Sequence, residues 1–242
     1  SSVALVVDGV LLTNPNALNQ ELNGVTQIEI LKGPQGALYG RNALAGAIIL
    51  TTAEPSEFFE AGIKGGVGNH GLWEGSVSLS GPLGDRVGAT VRAYIRDEDG
   101  SFNNDFKQSC CENYFQEGGV NGRLMFDVGD NGEIDVKVRY SEVTSGAVTY
   151  NASLALREAA EAGFGPTFFE DVNKHDFAYI NNIDAINEQR NINGSVRGTF
   201  DLGFGTLTGI GSYNDAKNYF LSDGVSNAFG IYFANPECRA NY

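Results

Sequence analysis

From Glu57 onward the chain alternates between apolar and polar positions. Val87, Ala89, Val91, Ala93 and Ile95 are interleaved with Arg86, Gly88, Thr90, Arg92, Tyr94 and Arg96. Val120, Gly122, Leu124, Phe126 and Val128 are interleaved with Asn121, Arg123, Met125 and Asp127. Ile134, Val136, Val138 and Tyr140 alternate with Asp135, Lys137 and Arg139, and Ile192, Val196, Phe200 and Leu202 with Asn193, Ser195, Arg197, Thr199 and Asp201. Successive side chains of a strand point to opposite faces, so a period of two gives each segment one apolar and one polar face. The pattern predicts seven strands, at about 58–68, 71–80, 86–97, 118–128, 133–144, 190–202 and 206–220.

Two features narrow this beyond an ordinary half-buried sheet. The segments run to about ten residues or more, longer than the usual five or six and close to what a tilted strand needs to cross a bilayer. The connections are also sorted by length. "GPLGD" (81–85), "GDNGE" (129–133) and "GFG" (203–205) are tight turns, while 97–117 and 144–188 are long links; "GNHG" (68–71) is the short exception. Short turns on one rim and long loops on the other define an outer-membrane barrel. Single-chain bacterial barrels take even strand numbers, so the expectation is an incomplete transmembrane antiparallel β-barrel of about seven strands, occupying 57–242. Arg86, Arg92, Arg96, Arg123, Lys137, Arg139 and Arg197 fall on the polar faces and would point into its lumen. There they would meet water or neighbouring carboxylates.

Residues 1–56 follow a different pattern. "VALVV" predicts a short strand, Val3 to Val7, ending in a turn at Asp8-Gly9. Asn14-Pro15-Asn16 has loop chemistry, and Ala17 to Leu22 allows a short helical turn. Val25 to Gly33 predicts a second strand and "AGAIILTT" a third, with the glycine-rich knot "GPQGALYGRN" between them. The unit is a small mixed α+β piece ahead of the barrel strands. Both chain ends suggest a piece of something longer: the first residues run straight into a strand and the last lie in a loop.

Composition removes several classes of function. The net charge of −14 and the lack of any basic run argue against nucleic acid. No apolar run approaches the length of a membrane helix. Cys110, Cys111 and Cys238 lack metal-site spacing and predict a loop disulfide in an oxidising compartment, with one thiol left over. "GVGNHG" (66–71) matches G-x-G-x-x-G, but an alternating strand follows it rather than a helix, so it predicts a hairpin turn. His70 and His175 have no partners at ligand spacing; an oxygen-rich cation site near Glu170, Asp171 and Asp176 is outweighed by a solvated loop. "NAS" (151) and "NGS" (193) match the glycosylation pattern by chance. No catalytic arrangement is recognisable, and no cofactor or metal is expected.

"VDGV" followed by "IEILKGPQGALYGRNALAGAIILTT" resembles the C-terminal half of the plug domain of TonB-dependent outer-membrane receptors. Ile28, Glu29, Leu31, Gly33, Pro34, Leu38, Tyr39, Gly40, Ala43, Gly46, Ile48 and Thr51 carry the match. Lys32 stands where the family has arginine, and Ala45 takes the first place of the usual Gly-Gly pair. The resemblance implies a plug over 1–56 inside a barrel over 57–242, in the bacterial outer membrane. It places Thr13, Asn14, Pro15 and Asn16 at the plug apex, facing a ligand, and gives Glu29, Lys32 and Arg41 polar contacts with the barrel wall. It implies energy-coupled import of a scarce solute, a ferric siderophore or similar metal chelate, or an oligosaccharide. The partners would be TonB, through a segment preceding Ser1, and membrane lipid. The long loops would form a vestibule with Tyr114, Phe115, Phe168, Phe169 and Tyr179. Against import stands a passive porin or adhesion barrel with a lumen-filling segment; a soluble β-enzyme fits the loop sorting poorly.

Overall fold

The computed structural model describes residues 3–12, 24–39, 43–104, 107–146 and 183–222. They form two sheets. In the first, β1 (Val3–Val7) pairs in parallel with β4 (Gly46–Thr52) and antiparallel with β2 (Val10–Leu12), while β3 (Val25–Lys32) pairs antiparallel with β4. The order is β2-β1-β4-β3. One short helix, α1 (Gly36–Tyr39), lies between β3 and β4.

The core of this small sheet is apolar, centred on alanines on one side and leucines on the other. On one side Ala4, Ala43 and Ala47 are buried beneath Leu11, Leu31 and Tyr39. On the other, Leu5 and Leu50 pack with Val7, Leu12, Val25 and Ile48. The glycine-rich stretch is tied down by two backbone bonds, from Gly33 N–H to the Ala45 carbonyl (3.1 Å) and from Gln35 N–H to that of Ala43 (2.7 Å). Gly46 allows β3 and β4 to meet: a Cβ there would lie 2.4 Å from the Leu31 carbonyl oxygen.

The second sheet is a seven-stranded antiparallel meander of β5 (Glu60–Val67), β6 (Trp73–Gly84), β7 (Val87–Glu98), β8 (Phe115–Val128), β9 (Gly132–Ser145), β10 (Ile186–Asp201) and β11 (Thr206–Leu221). It is not closed: β5 and β11 are its edges. The expected strands are all present, several of them longer at the rim of the long loops. "GVGNHG" is the β5–β6 hairpin, closed by Gly68 N–H to Leu72 O (2.8 Å). No helix among the described residues is long and apolar enough to cross a membrane. β2 departs from expectation, since Val10 to Leu12 form a strand on β1 rather than a loop. Arg86 also departs: it sits in the tight β6–β7 turn, exposed, bonded to the Gly129 carbonyl (3.2 Å) and facing Asp130 at 3.5 Å.

Register sorts the faces of this sheet. Leu79, Val91, Gly122, Val138, Gly194 and Tyr213 form one row across β6 to β11. Five such outward rows, from Phe126–Ile134 and its neighbour at the short-turn rim up to Val120–Tyr140, are almost wholly apolar. They cover about 27 Å along the strands, or roughly 20 Å of height after tilt, close to the ~25 Å lipid-facing band of outer-membrane barrels. The next outward row carries Glu142, Arg190 and Lys217 on β9–β11. The inward face is where burial occurs, and it is polar: Glu117, Arg123, Asp135, Ser141, Gln189 and Asn191 are buried there, against only Tyr94 and Val143 among its large hydrophobics. Val91, Val138 and Val196, on the outside, are each at least half exposed.

Candidate functional site

The small sheet lies against the inward face, and the contact is made by charge. Asp8 ends β1 with φ +50°, a left-handed conformation that aspartate tolerates better than most residues. Its carboxylate accepts from the Thr52 N–H (2.8 Å) and the Thr52 hydroxyl (2.7 Å). From the wall, Lys137 Nζ reaches the same carboxylate at 2.9 Å. Lys137 also touches Asp135, at 3.1 Å.

Asp135 is the hub of the wall side. Its carboxylate is almost completely buried and receives a fork from Arg123, with Nε and Nη2 each at 3.0 Å. Arg197, directly across from it on β10, adds a bond of 3.2 Å. Arg123 then turns to the small sheet, donating from Nη1 to the carbonyls of Thr52 (3.1 Å) and Ala53 (2.8 Å), with Glu54 at 3.5 Å. The fork and the backbone bonds use the planar, fixed donor geometry that distinguishes arginine from lysine.

Electrostatics follow from this packing. Burial pushes the Asp8 carboxyl upward, but the Thr52 backbone bond, Lys137 and the Thr52 hydroxyl outweigh it and hold the group below its ordinary value. Asp8 is therefore ionised at neutral pH, and the contact is a salt bridge rather than a neutral hydrogen bond.

The long-loop rim has its own polar knot. Lys107 contacts Glu112 (3.0 Å) and Asp184 (2.5 Å), joining the loop after β7 to the start of β10. Burial lowers the Lys107 ammonium, yet Asp184 and Glu112 leave it above its ordinary value. The Asn113 side chain caps the N–H groups of Ser101 and Phe102, both at 2.7 Å. The loop disulfide joins Cys110 to Cys111 themselves. Arg96 lies 5.3 Å from the Phe115 ring centre.

The residues expected from sequence are divided by the structure. Thr13, Asn14, Pro15, Asn16 and Arg41 lie outside the described residues, as do Phe168, Phe169, Tyr179 and the His175 loop. Glu29 is exposed on β3 and accepts from Gln27 Nε2 at 3.0 Å. Lys32 is exposed at the end of the same strand. β3 is the edge of the small sheet opposite β2, so both stand apart from the Asp8 contact. Sequence reasoning missed Asp8 and Thr52 as contact residues. The wall faces of Arg123, Lys137 and Arg197 were readable from the period of two; the docking of the β1–β2 turn onto them was not.

A sheet that is apolar outside and charged inside, with a small folded unit ion-paired to its inner face, is the arrangement of a plug against part of an outer-membrane barrel wall. Residues 1–47 match the TonB-dependent Receptor Plug Domain family. The chain therefore carries a TonB-dependent receptor plug domain at its start, and it spans only about a third or less of the length of the relatives it matches. Over 84 residues it is 39% identical to the pesticin receptor of Yersinia enterocolitica, covering 35% of this chain and 12% of that protein. It is 26% identical over 220 residues to the vitamin B12 transporter BtuB of Photobacterium profundum, covering 87% of this chain and 34% of that protein. Its fold superposes on the ferric yersiniabactin uptake receptor FyuA of Yersinia pestis with a TM-score of 0.70, at 21% identity, over 92% of this chain and 33% of that one.

Proposed function

We propose that the receptor containing this chain imports a scarce solute across the outer membrane, with residues 1–56 forming part of the plug and 57–242 the first wall strands. The observation that carries this reading is the contact centred on Asp8, Lys137, Arg123 and Asp135. A lumen-filling segment that must move during transport is better held by hydrated, ion-paired contacts than by a dry apolar seam, because polar groups can exchange their partners for water as they separate. Supporting the choice of solute, relatives are described as receptors for ferric yersiniabactin and pesticin and as a transporter of vitamin B12. A metal chelate of the ferric siderophore type is the substrate class we favour.

In this reading Thr13 to Asn16 meet the solute at the plug apex. Glu29, Lys32 and Arg41 pair with wall strands beyond those seen here. TonB supplies the pull on the plug from the inner membrane. The competing reading, a passive porin with an inert filler, predicts a different resting state. The full-length receptor reconstituted in a planar bilayer should be closed at rest, and cells carrying it should lose uptake when TonB is deleted. An open resting conductance, with uptake indifferent to TonB, would favour the porin.

A further inference from the structure

Between the small sheet and the wall lies a cavity of about 120 Å³, several times the space one water requires. Its charged lining is Asp8 on one side and Arg92, Arg123, Lys137 and Arg139 on the other. Arg123 and Lys137 are committed to Asp135, Asp8 and the backbone at 52–53. Arg139 lies within electrostatic reach of Asp8 and Tyr94. Arg92 is different: its side chain makes no hydrogen bond or ion pair with the described residues.

The position of Arg92 is built rather than incidental. Its guanidinium lies over Gly24, where a Cβ would come within 2.4 Å of Nη1, so the bare glycine backbone is what admits it. Across the wall, Arg92, Asn121, Arg139, Asn193 and Asn214 are in register on β7 to β11 and form one inward row. Asn121 lines the same cavity, and its Oδ1 is buried without a hydrogen-bond partner. A partly buried cation with no counter-ion and a buried acceptor with no donor stand side by side. Each costs free energy that a suitable guest would recover.

We propose that this row is a binding site for a hydroxylated oxyanion, its anionic oxygens on the Arg92 guanidinium and its O–H donated to Asn121 Oδ1. Two sources share that chemistry: an α-hydroxycarboxylate arm of a transported chelate, and free hydrogen phosphate. The site lies in the seam that plug movement would open, so it deepens the import reading and rests on the small sheet being the plug.

The test uses the full-length receptor in detergent, titrated calorimetrically with citrate and, separately, with inorganic phosphate. Wild type should bind at least one of them, and Arg92→Gln should weaken that binding about tenfold or more, the scale of losing a charge-assisted pair. Arg92→Lys should recover part of it, and Asn121→Leu should weaken it with all cations intact. Loss confined to citrate identifies the chelate arm as the guest; loss confined to phosphate identifies the free ion. Unfolding midpoints matching wild type show that the variants are folded. No binding by wild type, or binding that Arg92→Gln and Asn121→Leu leave unchanged, overturns the site. Because the readout is binding, it stands apart from transport: a TonB-independent receptor that still binds through Arg92 sinks the import reading alone, and an importer without this binding sinks the site alone.

Discussion

The small sheet and the wall solve opposite packing problems with the same secondary structure. In the small sheet, Ala4, Leu5, Val6, Ala47 and Leu50 are buried and the strand edges are wet. In the wall, Asp135, Arg123, Ser141 and Asn191 are buried while Val91, Val138 and Val196 are exposed. The first obeys the rule for water, in which apolar area is withdrawn from solvent. The second obeys the rule for lipid, in which the solvent is itself apolar and backbone groups must be paired by neighbouring strands. One chain holding both arrangements has to place a boundary between the two solvents, and the boundary here is the wall sheet itself, apolar toward lipid and ion-paired to the small sheet at Asp8 and Asp135 on its inner face.

Four substitutions and one labelling experiment sharpen or break that contrast. The largest effect is expected from Asp135→Ala. Removing the hub leaves Arg123, Lys137 and Arg197 facing one another in a buried site, and loss of one partner of a buried pair costs about 3–5 kcal/mol. Denaturant unfolding of the full-length receptor in detergent should show it. A surface-like loss below about 1 kcal/mol would mean the inward face is hydrated like an ordinary exterior.

Next comes Val136→Arg, in the middle of the five outward rows. A charge at the centre of the lipid band costs about 2–4 kcal/mol. The penalty should appear in bilayers and shrink at Tyr140 and beyond; equal tolerance at both heights would contradict the lipid-facing assignment. Leu50→Ala follows, at about 2–3 kcal/mol for a truncated buried leucine. It should loosen the small sheet, read as faster amide exchange across β1 and β4, with exchange in β8 and β9 unchanged.

Asp8→Asn is milder, about 1–2 kcal/mol for a charge-assisted contact. It should speed proteolysis or labelling of the seam without unfolding either sheet. Acid should imitate it. Because the docked Asp8 carboxyl is held below its ordinary value, its contribution is complete at neutral pH and is lost only as pH falls below about 4, through the lowered value. Weakening of the seam between pH 7 and 5 would point to a different group.

How much of this was readable beforehand depends on which force set each feature. The seven strands followed from the period of two, since each stave must be greasy on one side only. Their upper ends did not. β10 begins at Ile186, four residues before the expected start, and β8 at Phe115 rather than 118. Above the lipid the outward face meets water and the inward face is polar, so "INEQ" carries no apolar–polar alternation to read. β2 was hidden for a related reason: three residues are too few to show a period, and the pairing of Leu5 with Leu12 comes from the turn at Asp8-Gly9. At the seam, alternation placed Arg123, Asp135, Lys137 and Arg197 on one face. Their forks and the capture of Asp8 depend on long-range docking, which leaves no local trace.

The row of Glu142, Arg190 and Lys217 sits one step above the lipid band, on β9 to β11 but not on β6 to β8, where the same row is Gly75, Ile95 and Gly118. The rim is therefore uneven. On one flank ordered, hydrogen-bonded staves stand clear of the lipid like a parapet, so a large visitor arriving from outside the cell meets stiff sheet there. Lys217 should react with a membrane-impermeant amine reagent on intact cells; protection from it would bring the parapet down to the lipid surface.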